Sequence, residues 1–499
     1  MDVDVHGRCE KVMSELRRQA TSGIKFSALS QVGRQGIQIF TMIILARVLT
    51  PSDFGLLNMA LIIVGFAMVF KDVGTSAAII QKRELSDELC SSIFWLNISV
   101  GFFLMVAIIL CAPLAGLYYQ EARVIPVLRI LSISFLTASF GFVHQALLER
   151  ELSFSSLARL EILSVVAGGT VGVAMALLDA GVWSLVVQTL ITTFVSTALL
   201  WVSSSWRPQW NFRWADVKAV GSFSLNLAGF NVFNYFARNA DYLLIGRYLG
   251  AQDLGFYTLA YRILLFPLQN ISAVVGRVMY PVLSSLQNDD EKFKSIYLKV
   301  IRSIAFISFP LMTAAFALAE PLILTIFGSK WQPVILLVMI LAPAGLIQSV
   351  GTTVGTIYQV KGRTDWMFRW GGGSGIFVVI AFVVGLQWGI IGVATAYAIA
   401  VCVLLYPSFA IPFHLIELRF AAMLRALMPP LLASGSMFVG MWILREVLLT
   451  SLPNAAMLIV STTFGCLLYL LVSWLTNRDQ IKDLWNLVGV GRSRFHGAG

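Results

Sequence analysis

Gln31, Arg34, Gln38 and Thr41 stand three, four and three residues apart, a spacing that puts all four side chains on one face of a helix. Two hundred residues on, Asn231, Asn234, Arg238 and Asp241 occupy the matching positions. Both sets lie inside long apolar runs, and polar or ionised groups at membrane depth face protein or a water-filled cavity. Two matching stripes of this kind are expected to face each other across a central cleft. Guanidinium groups grip phosphate through paired N–H donors, and the mid-depth charge is mainly positive: Arg34, Arg238 and, on the following helix, Arg262. A cation or drug exporter would want a cavity carboxylate with little competing positive charge, so the pattern predicts an anionic cargo. The expected substrate-binding residues are Arg34, Arg238, Arg262, Gln31, Gln38, Asn231 and Asn234. At about 1.5 Å per residue, Arg34 lies about 12 Å above the inner end of its span, Arg238 more than halfway across, and Arg262 about 12 Å below an outer end. These cations form a staggered ladder. Arg277 and Lys71, near inner ends, could extend the ladder, although for these two and Arg129 the simpler reading is a long side chain that snorkels to the interface.

Asp241 shares a face with Arg238 and leaves two readings open: a proton- or sodium-responsive coupling group, or a permanently ionised partner in an i, i+3 ion pair. Asp72, Glu161 and Glu320 are the other acids nearest membrane depth. No catalytic set, cofactor or metal site is expected. Cys9, Cys90, Cys111, Cys402 and Cys466 are isolated and read mostly as small buried residues, and His6, His144, His414 and His496 are equally scattered.

A helical membrane bundle must position this ladder. Of 499 residues 58% are hydrophobic and only 12% charged, with a mean hydropathy of +0.81, far from the make-up of soluble proteins. Apolar runs near the roughly 20 residues that cross hydrocarbon recur without the alternation of barrel strands. The expected fold is an all-α polytopic membrane protein with about fourteen transmembrane helices. Its divisions are a cytoplasmic segment at 1–25, a six-helix lobe at 26–203, a cytoplasmic linker at 204–218, a second six-helix lobe at 219–413, two additional transmembrane helices at 414–476 and a cytoplasmic tail at 477–499. No small-residue cleavage site follows a short apolar core, so the first apolar run reads as a retained helix rather than a signal peptide.

With the N-terminus in the cytoplasm, Lys and Arg favour the inner side by about five to one, which sets both termini inside and the number of spans even. A formal net charge of +10 then needs no nucleic acid to explain it. Trp183, Trp201, Trp206, Trp331, Trp388 and Trp474 fall near span ends as interfacial anchors. The inward segments 206–218 and 288–299 read as amphipathic connectors on the anionic inner leaflet. Outward loops of no more than about ten residues leave no room for the outer site that a membrane polymerase or glycosyltransferase would need. A pure scaffold would have no reason to keep two aligned polar stripes.

The same offset of 200 relates LARVLTPSDFGLLNMA (45–60) to IGRYLGAQDLGFYTLA (245–260). Six predicted spans separate the copies, so the halves are parallel repeats related by an axis along the membrane normal. Each copy is a helix start. Thr50 can cap, Pro51 suits the first helical position, and Asp53 lies in the first turn where the helix dipole favours a carboxylate. Gly55 and Gly255 are expected to allow close approach to the preceding helix. Gly168 with Gly172, and Gly351 with Gly355, have the spacing of close helix packing. WGGGSG at 370–375 opens a predicted membrane helix and lacks the Lys and Ser/Thr of a phosphate loop. The two last helices read either as a cradle for a lipid tail or as simple packing against the second half.

LARVLTPSDFGLLNMALIIVGF (45–66), DVGTSAAIIQ (72–81) and IGRYLGAQDLGFYTLAYRI (245–263) make the chain resemble the Wzx-type polysaccharide flippases of the multidrug/oligosaccharidyl-lipid/polysaccharide exporter superfamily. The resemblance implies two six-helix lobes forming a V around a central cationic cavity, plus two C-terminal helices. It implies movement of undecaprenyl-diphosphate-linked oligosaccharide from the cytoplasmic to the periplasmic leaflet of a bacterial inner membrane, by alternating access, with a polysaccharide polymerase and export machinery as further partners. On that resemblance the cavity role passes to Arg34 and Arg238. The alternative within the superfamily is an ion-coupled exporter of cations or drugs.

Overall fold

The computed structural model describes residues 31, 33–71, 79, 86–151, 153–213, 225–448, 452–476 and 478. Asp72, Cys9, His6, His496, the segments 1–25 and 214–218, the tail at 477–499 apart from Arg478, and the side chains of Lys71, Asn231 and Arg277 lie outside that description. The described residues form helices and turns. The chain divides into two compact units, Met1–Gly255 and Phe256–Gly499.

The first unit holds α1 (33–48), α2 (Pro51–Lys71), α3 (Asp87–Tyr119), α4 (Val124–Leu131), α5 (Ile133–Arg150), α6 (Phe154–Leu177), α7 (Val182–Ser203), α8 (Leu225–Tyr248) and the first turn of α9 (Gly250–Ser285). Within it α6 packs closely on α7, α3 on α5, and α5 on α7. Gly168 and Gly172 explain the tightest of these seams. A Cβ on Gly168 would stand 2.0 Å from Thr192 Oγ1, and one on Gly172 would stand 2.8 Å from Gln188 Cβ. By sequence register α8 opens the second repeat, yet it packs on α2 inside the first unit.

The second unit holds the remainder of α9, then α10 (Asp290–Ala317), α11 (Ala319–Ile326), α12 (Pro333–Gly351), α13 (Val354–Val360), α14 (Thr364–Gly385), α15 (Gly389–His414), α16 (Phe420–Leu448) and α17 (Asn454–Thr476). Here α14 packs on α15, α10 on α12, and α12 on α15, the same internal order as in the first unit. The last two helices pack against each other and against α10 and α11. Arg445 on α16 donates to Glu320 on α11 at 2.6 Å, and Tyr469 on α17 donates to the Phe306 carbonyl on α10 at 2.7 Å.

Ten stretches among the described residues are long and apolar enough to cross a membrane, and one of them, Thr364–His414, is α14 and α15 read through a 3-10 turn at Leu386–Trp388. Besides the eight-residue α11, three helices are not among the ten. The described part of α1 is short, while α8 carries Asn226, Asn231, Asn234, Arg238, Asn239 and Asp241, and α9 carries Asp253, Arg262 and Arg277.

Several sequence expectations need correction. Within 288–299 the connector gives way to helix from Asp290 onward: Asp289 caps α10 by accepting from Lys292 N at 3.1 Å, and Phe293 and Tyr297 are core residues. WGGGSG does not open its helix, because α14 starts at Thr364. Gly351 and Gly355 make no close seam: the chain turns at 352–353, nothing lies within 4 Å of a Cβ on Gly351, and only Met367 Cε lies near Gly355, at 3.8 Å. Of the four described cysteines only Cys90 is buried. Trp331 is fully buried beside Phe256, whereas Trp388 and Trp474 are exposed. The described part of the 204–218 linker is an extended strap docked on α3. Ser91 Oγ accepts from Gln209 N and Ser92 Oγ from Arg213 N, both at 3.0 Å, and Trp95 donates to the Gln209 carbonyl while stacking on Trp210.

Candidate functional site

The polar face of α1 meets α6. Thr41 is buried, with its Oγ1 2.9 Å from where a Cβ on Gly169 would lie. Two turns toward the N-terminus of α1, Arg34 Nη1 stands 3.5 Å from Glu161 Oε2 on α6. Arg34 Nη2 donates to Gln31 Oε1 at 2.9 Å, and Arg34 Nε is buried with no partner. The contact with Glu161 lies within ion-pair range and beyond ordinary N–H···O length. A guanidinium carries five N–H donors, and this one makes a single hydrogen bond among the described residues. The structure thus brings Gln31 and Arg34 together and adds Glu161. Gln38 is exposed.

On α8 the matching stripe is divided. Arg238 is exposed and has no hydrogen-bond or ion-pair partner among the described residues, Asn234 is half-buried, and Asp241 is only 3% exposed. Asp241 Oδ1 accepts from Tyr242 N at 2.9 Å. The i, i+3 ion pair between Arg238 and Asp241 is not formed, which removes the simplest structural reason for the arginine. Arg262 on α9 is exposed. What fixes α8 is a different set of residues: Tyr235 donates its hydroxyl to the Ile62 carbonyl of α2 at 2.5 Å, and Phe66 lies against Tyr235 and Phe236, at 6.0 and 4.9 Å between ring centres.

The doubled motif does more than start two helices. Thr50 N and Oγ1 donate to Asp53 Oδ2 at 2.9 and 2.6 Å, and Asp53 N donates back to Thr50 Oγ1 at 3.3 Å, a capping box that satisfies the free N–H groups of a helix end. Gly55 does not approach the preceding helix as expected. A Cβ there would stand 1.7 Å from the Ala251 carbonyl oxygen, and one on Gly255 would stand 1.9 Å from the Pro51 carbonyl oxygen. These two contacts exchange under the 200-residue offset, as equivalent surfaces do about a two-fold axis. The motif recurs because its two copies pack on each other backbone to backbone.

The copies also differ. Gly250, at φ +88°, replaces Thr50, so Asp253 has no hydroxyl to bond, and burial pushes its carboxyl above the usual carboxylate range. In the turn after α3, Arg123 donates to both Glu121 carboxylate oxygens, at 2.9 and 2.8 Å, and holds that carboxyl below its ordinary value.

Sequence reasoning missed one polar cluster of the second unit. Tyr261 on α9 donates to Tyr397 on α15 at 3.2 Å, and Gln348 on α12 donates to the same Tyr397 hydroxyl, beside a small pocket whose other walls include Leu264, Leu341 and Gly345. Neutral groups of this kind carry no charge signal, and no residue spacing links the three helices. Among the described residues no cluster of His, Cys, Asp and Glu could hold a metal ion.

The model of the family described as polysaccharide biosynthesis protein matches residues 44–336. The WzxC lipopolysaccharide biosynthesis protein of Escherichia coli (strain K12) is 29% identical over 389 residues, covering 77% of this chain and 78% of the relative. The teichuronic acid biosynthesis protein TuaB of Bacillus subtilis (strain 168) is 28% identical over 429 residues, covering 85% and 89%. Among solved structures, the lipid II flippase MurJ in an inward closed conformation superposes with a TM-score of 0.70 at 16% identity, over 92% of this chain and 100% of that one. That likeness shows a shared fold. With the family model spanning both copies of the motif, the chain belongs to the polysaccharide biosynthesis family of Wzx-like multi-pass membrane transporters.

Proposed function

We propose that the protein flips undecaprenyl-diphosphate-linked oligosaccharide repeat units from the cytoplasmic to the periplasmic leaflet of the bacterial inner membrane, by alternating access, for surface polysaccharide biosynthesis. In this reading fourteen helical crossings form two parallel six-helix repeats about a V-shaped cleft, with two C-terminal helices and both termini cytoplasmic. A polysaccharide polymerase and export machinery would take the product. The family and the biosynthetic roles named for its relatives support the reading. The observation that carries it is Arg34, a guanidinium within an apolar helical bundle that makes one hydrogen bond and has an unpartnered Nε. An anionic group offers such a cation the acceptors that it lacks. Arg238, exposed on α8, is the second contact, with Arg262, Gln31, Gln38, Asn231 and Asn234 along the route. The diphosphate and sugars cross between leading helices while the polyprenyl tail stays in lipid. Asp241, buried on α8, is the candidate for proton or sodium coupling.

The test is reconstitution in vesicles loaded with lipid-linked oligosaccharides, following which become accessible on the far side. Arg34→Ala and Arg238→Ala chains should insert normally and each lose about tenfold or more in transport rate, the scale of a lost charge-assisted hydrogen bond. An unchanged rate in both variants would refute the cationic path. Efficient export of organic cations with no movement of lipid-linked sugar would establish the exporter alternative. If Asp241 couples transport, Asp241→Asn removes any dependence on a proton or sodium gradient.

A further inference from the structure

We infer that Glu161 is a place-holding counter-ion: it occupies Arg34 while the transport path is empty and gives it up to the diphosphate of the cargo. This inference rests on the flippase reading above and assigns a function to a residue outside both polar stripes.

The geometry of the pair points to exchange. Glu161 lies seven residues after Phe154 along α6, about 10 Å from the inner end of that helix. Arg34 therefore meets a carboxylate at its own depth. An unpaired arginine among apolar residues is costly, and an acid at this depth lowers that cost whenever no cargo is bound. A permanent structural pair would be expected to close to a two-pronged contact of about 2.7–2.9 Å. Instead a single oxygen approaches to 3.5 Å, Arg34 Nε stays unpartnered, and the Glu161 side chain is 47% exposed against 29% for Arg34. The carboxylate offsets charge without satisfying the guanidinium. It also retains an exposed face to which it can withdraw. Diphosphate oxygens offer more charge and more acceptors in the same place, so the exchange favours cargo, and neither partner is left buried and ionised alone. Gln31, bonded to Arg34 from one turn away on the same helix, holds the guanidinium in place as its anion changes.

The pair also gives selectivity. A ligand too weakly anionic to displace a carboxylate leaves Arg34 occupied.

The experiment measures binding of inorganic pyrophosphate to the purified full-length protein by calorimetry, for the unaltered chain, Glu161→Gln, Arg34→Gln and the double variant. Removing the competitor should tighten pyrophosphate binding about fivefold, the upper range for a partly exposed ion pair. In the Arg34→Gln background the same change at 161 should have no effect. A fixed structural bridge behaves in the opposite way: Glu161→Gln lowers the thermal midpoint and leaves binding unchanged or weaker, which overturns the inference. Should Glu161→Gln fail to assemble, Glu161→Asp carries the comparison, because its shorter carboxylate is a weaker competitor and should also tighten binding. Arg34-dependent binding that ignores residue 161 sinks the place-holder and leaves the cationic path standing. Binding equally strong without Arg34, or absent from every chain, sinks both.

Discussion

Asp53 and Asp253 hold the same position in the two copies of the doubled motif and act in opposite directions. Asp53 accepts two hydrogen bonds from Thr50, whereas Asp253 is half-buried and has Gly250 where Asp53 has Thr50. Replacing Asp53 by Asn should therefore cost about 1 kcal/mol, the usual worth of a helix cap. For Asp253 the sign reverses. A carboxyl raised in the folded state binds its proton more tightly there than when unfolded, so stability falls as pH rises through the raised value and the full cost is present at neutral pH. Asp253→Asn should raise the thermal midpoint at pH 7, with the gain disappearing as pH falls below the ordinary aspartate value of about 4. Thermal unfolding at the two pH values checks both variants, and equal responses from the two aspartates would contradict the asymmetry. The Arg34 stripe was legible from residue spacing, because a helix face is a property of nearby sequence. Glu161 was legible only as an acid near membrane depth. Its pairing with a residue on another helix depends on how α1 packs against α6, and that seam is set by Thr41 and Gly169.

Helix ends show why parts of the fold escaped the sequence. Charge in NDDEKFK marks the end of an apolar run, and by sequence the segment reads as an amphipathic connector. Yet Asp289, Asp290 and Glu291 are favourable residues for a first turn, so the helix runs on outside the apolar run. The same separation of span from helix places the start of α14 at Thr364. Glycine shows a second limit, since a motif reveals a small residue without its neighbour. Gly55 and Gly255 stand against carbonyl oxygens, at 1.7 and 1.9 Å from an added Cβ, while Gly371, Gly372 and Gly373 have open space around them. Gly55→Ala or Gly255→Ala should force the α2 and α9 starts apart and cost about 2–3 kcal/mol, as overpacking does. Gly372→Ala, in the interior of α14, should stabilise by up to about 1 kcal/mol. Thermal midpoints of the purified variants decide this, and tolerance of alanine at 55 and 255 would show that the motif is not a packed seam.

At the scale of the whole molecule, the number of crossings between two points of the chain fixes on which sides they lie. Ala122 is in the turn between α3 and α4, and Gln209 is in the strap after α7. Between them α4 with α5, α6 and α7 make three passes, each long and apolar enough to cross, so the two residues belong on opposite sides. Charge decides which is inside. The strap carries Arg207 and Arg213, with Arg213 ion-paired to Glu88 at the start of α3, and the turn after α3 carries Arg123, whose guanidinium is held by both oxygens of Glu121. Summed along the chain, the bias of Lys and Arg gives the expectation that the strap is cytoplasmic. In a chain with its five cysteines replaced, Ala122→Cys should react with a membrane-impermeant maleimide in intact spheroplasts, and Gln209→Cys only after permeabilisation. Both positions are exposed, so reactivity will report sidedness rather than burial. The inverse pattern would turn the protein over in the membrane and with it the direction of transport. Labelling of both from outside would break the three-pass count, and with it the assignment of both termini to the cytoplasm.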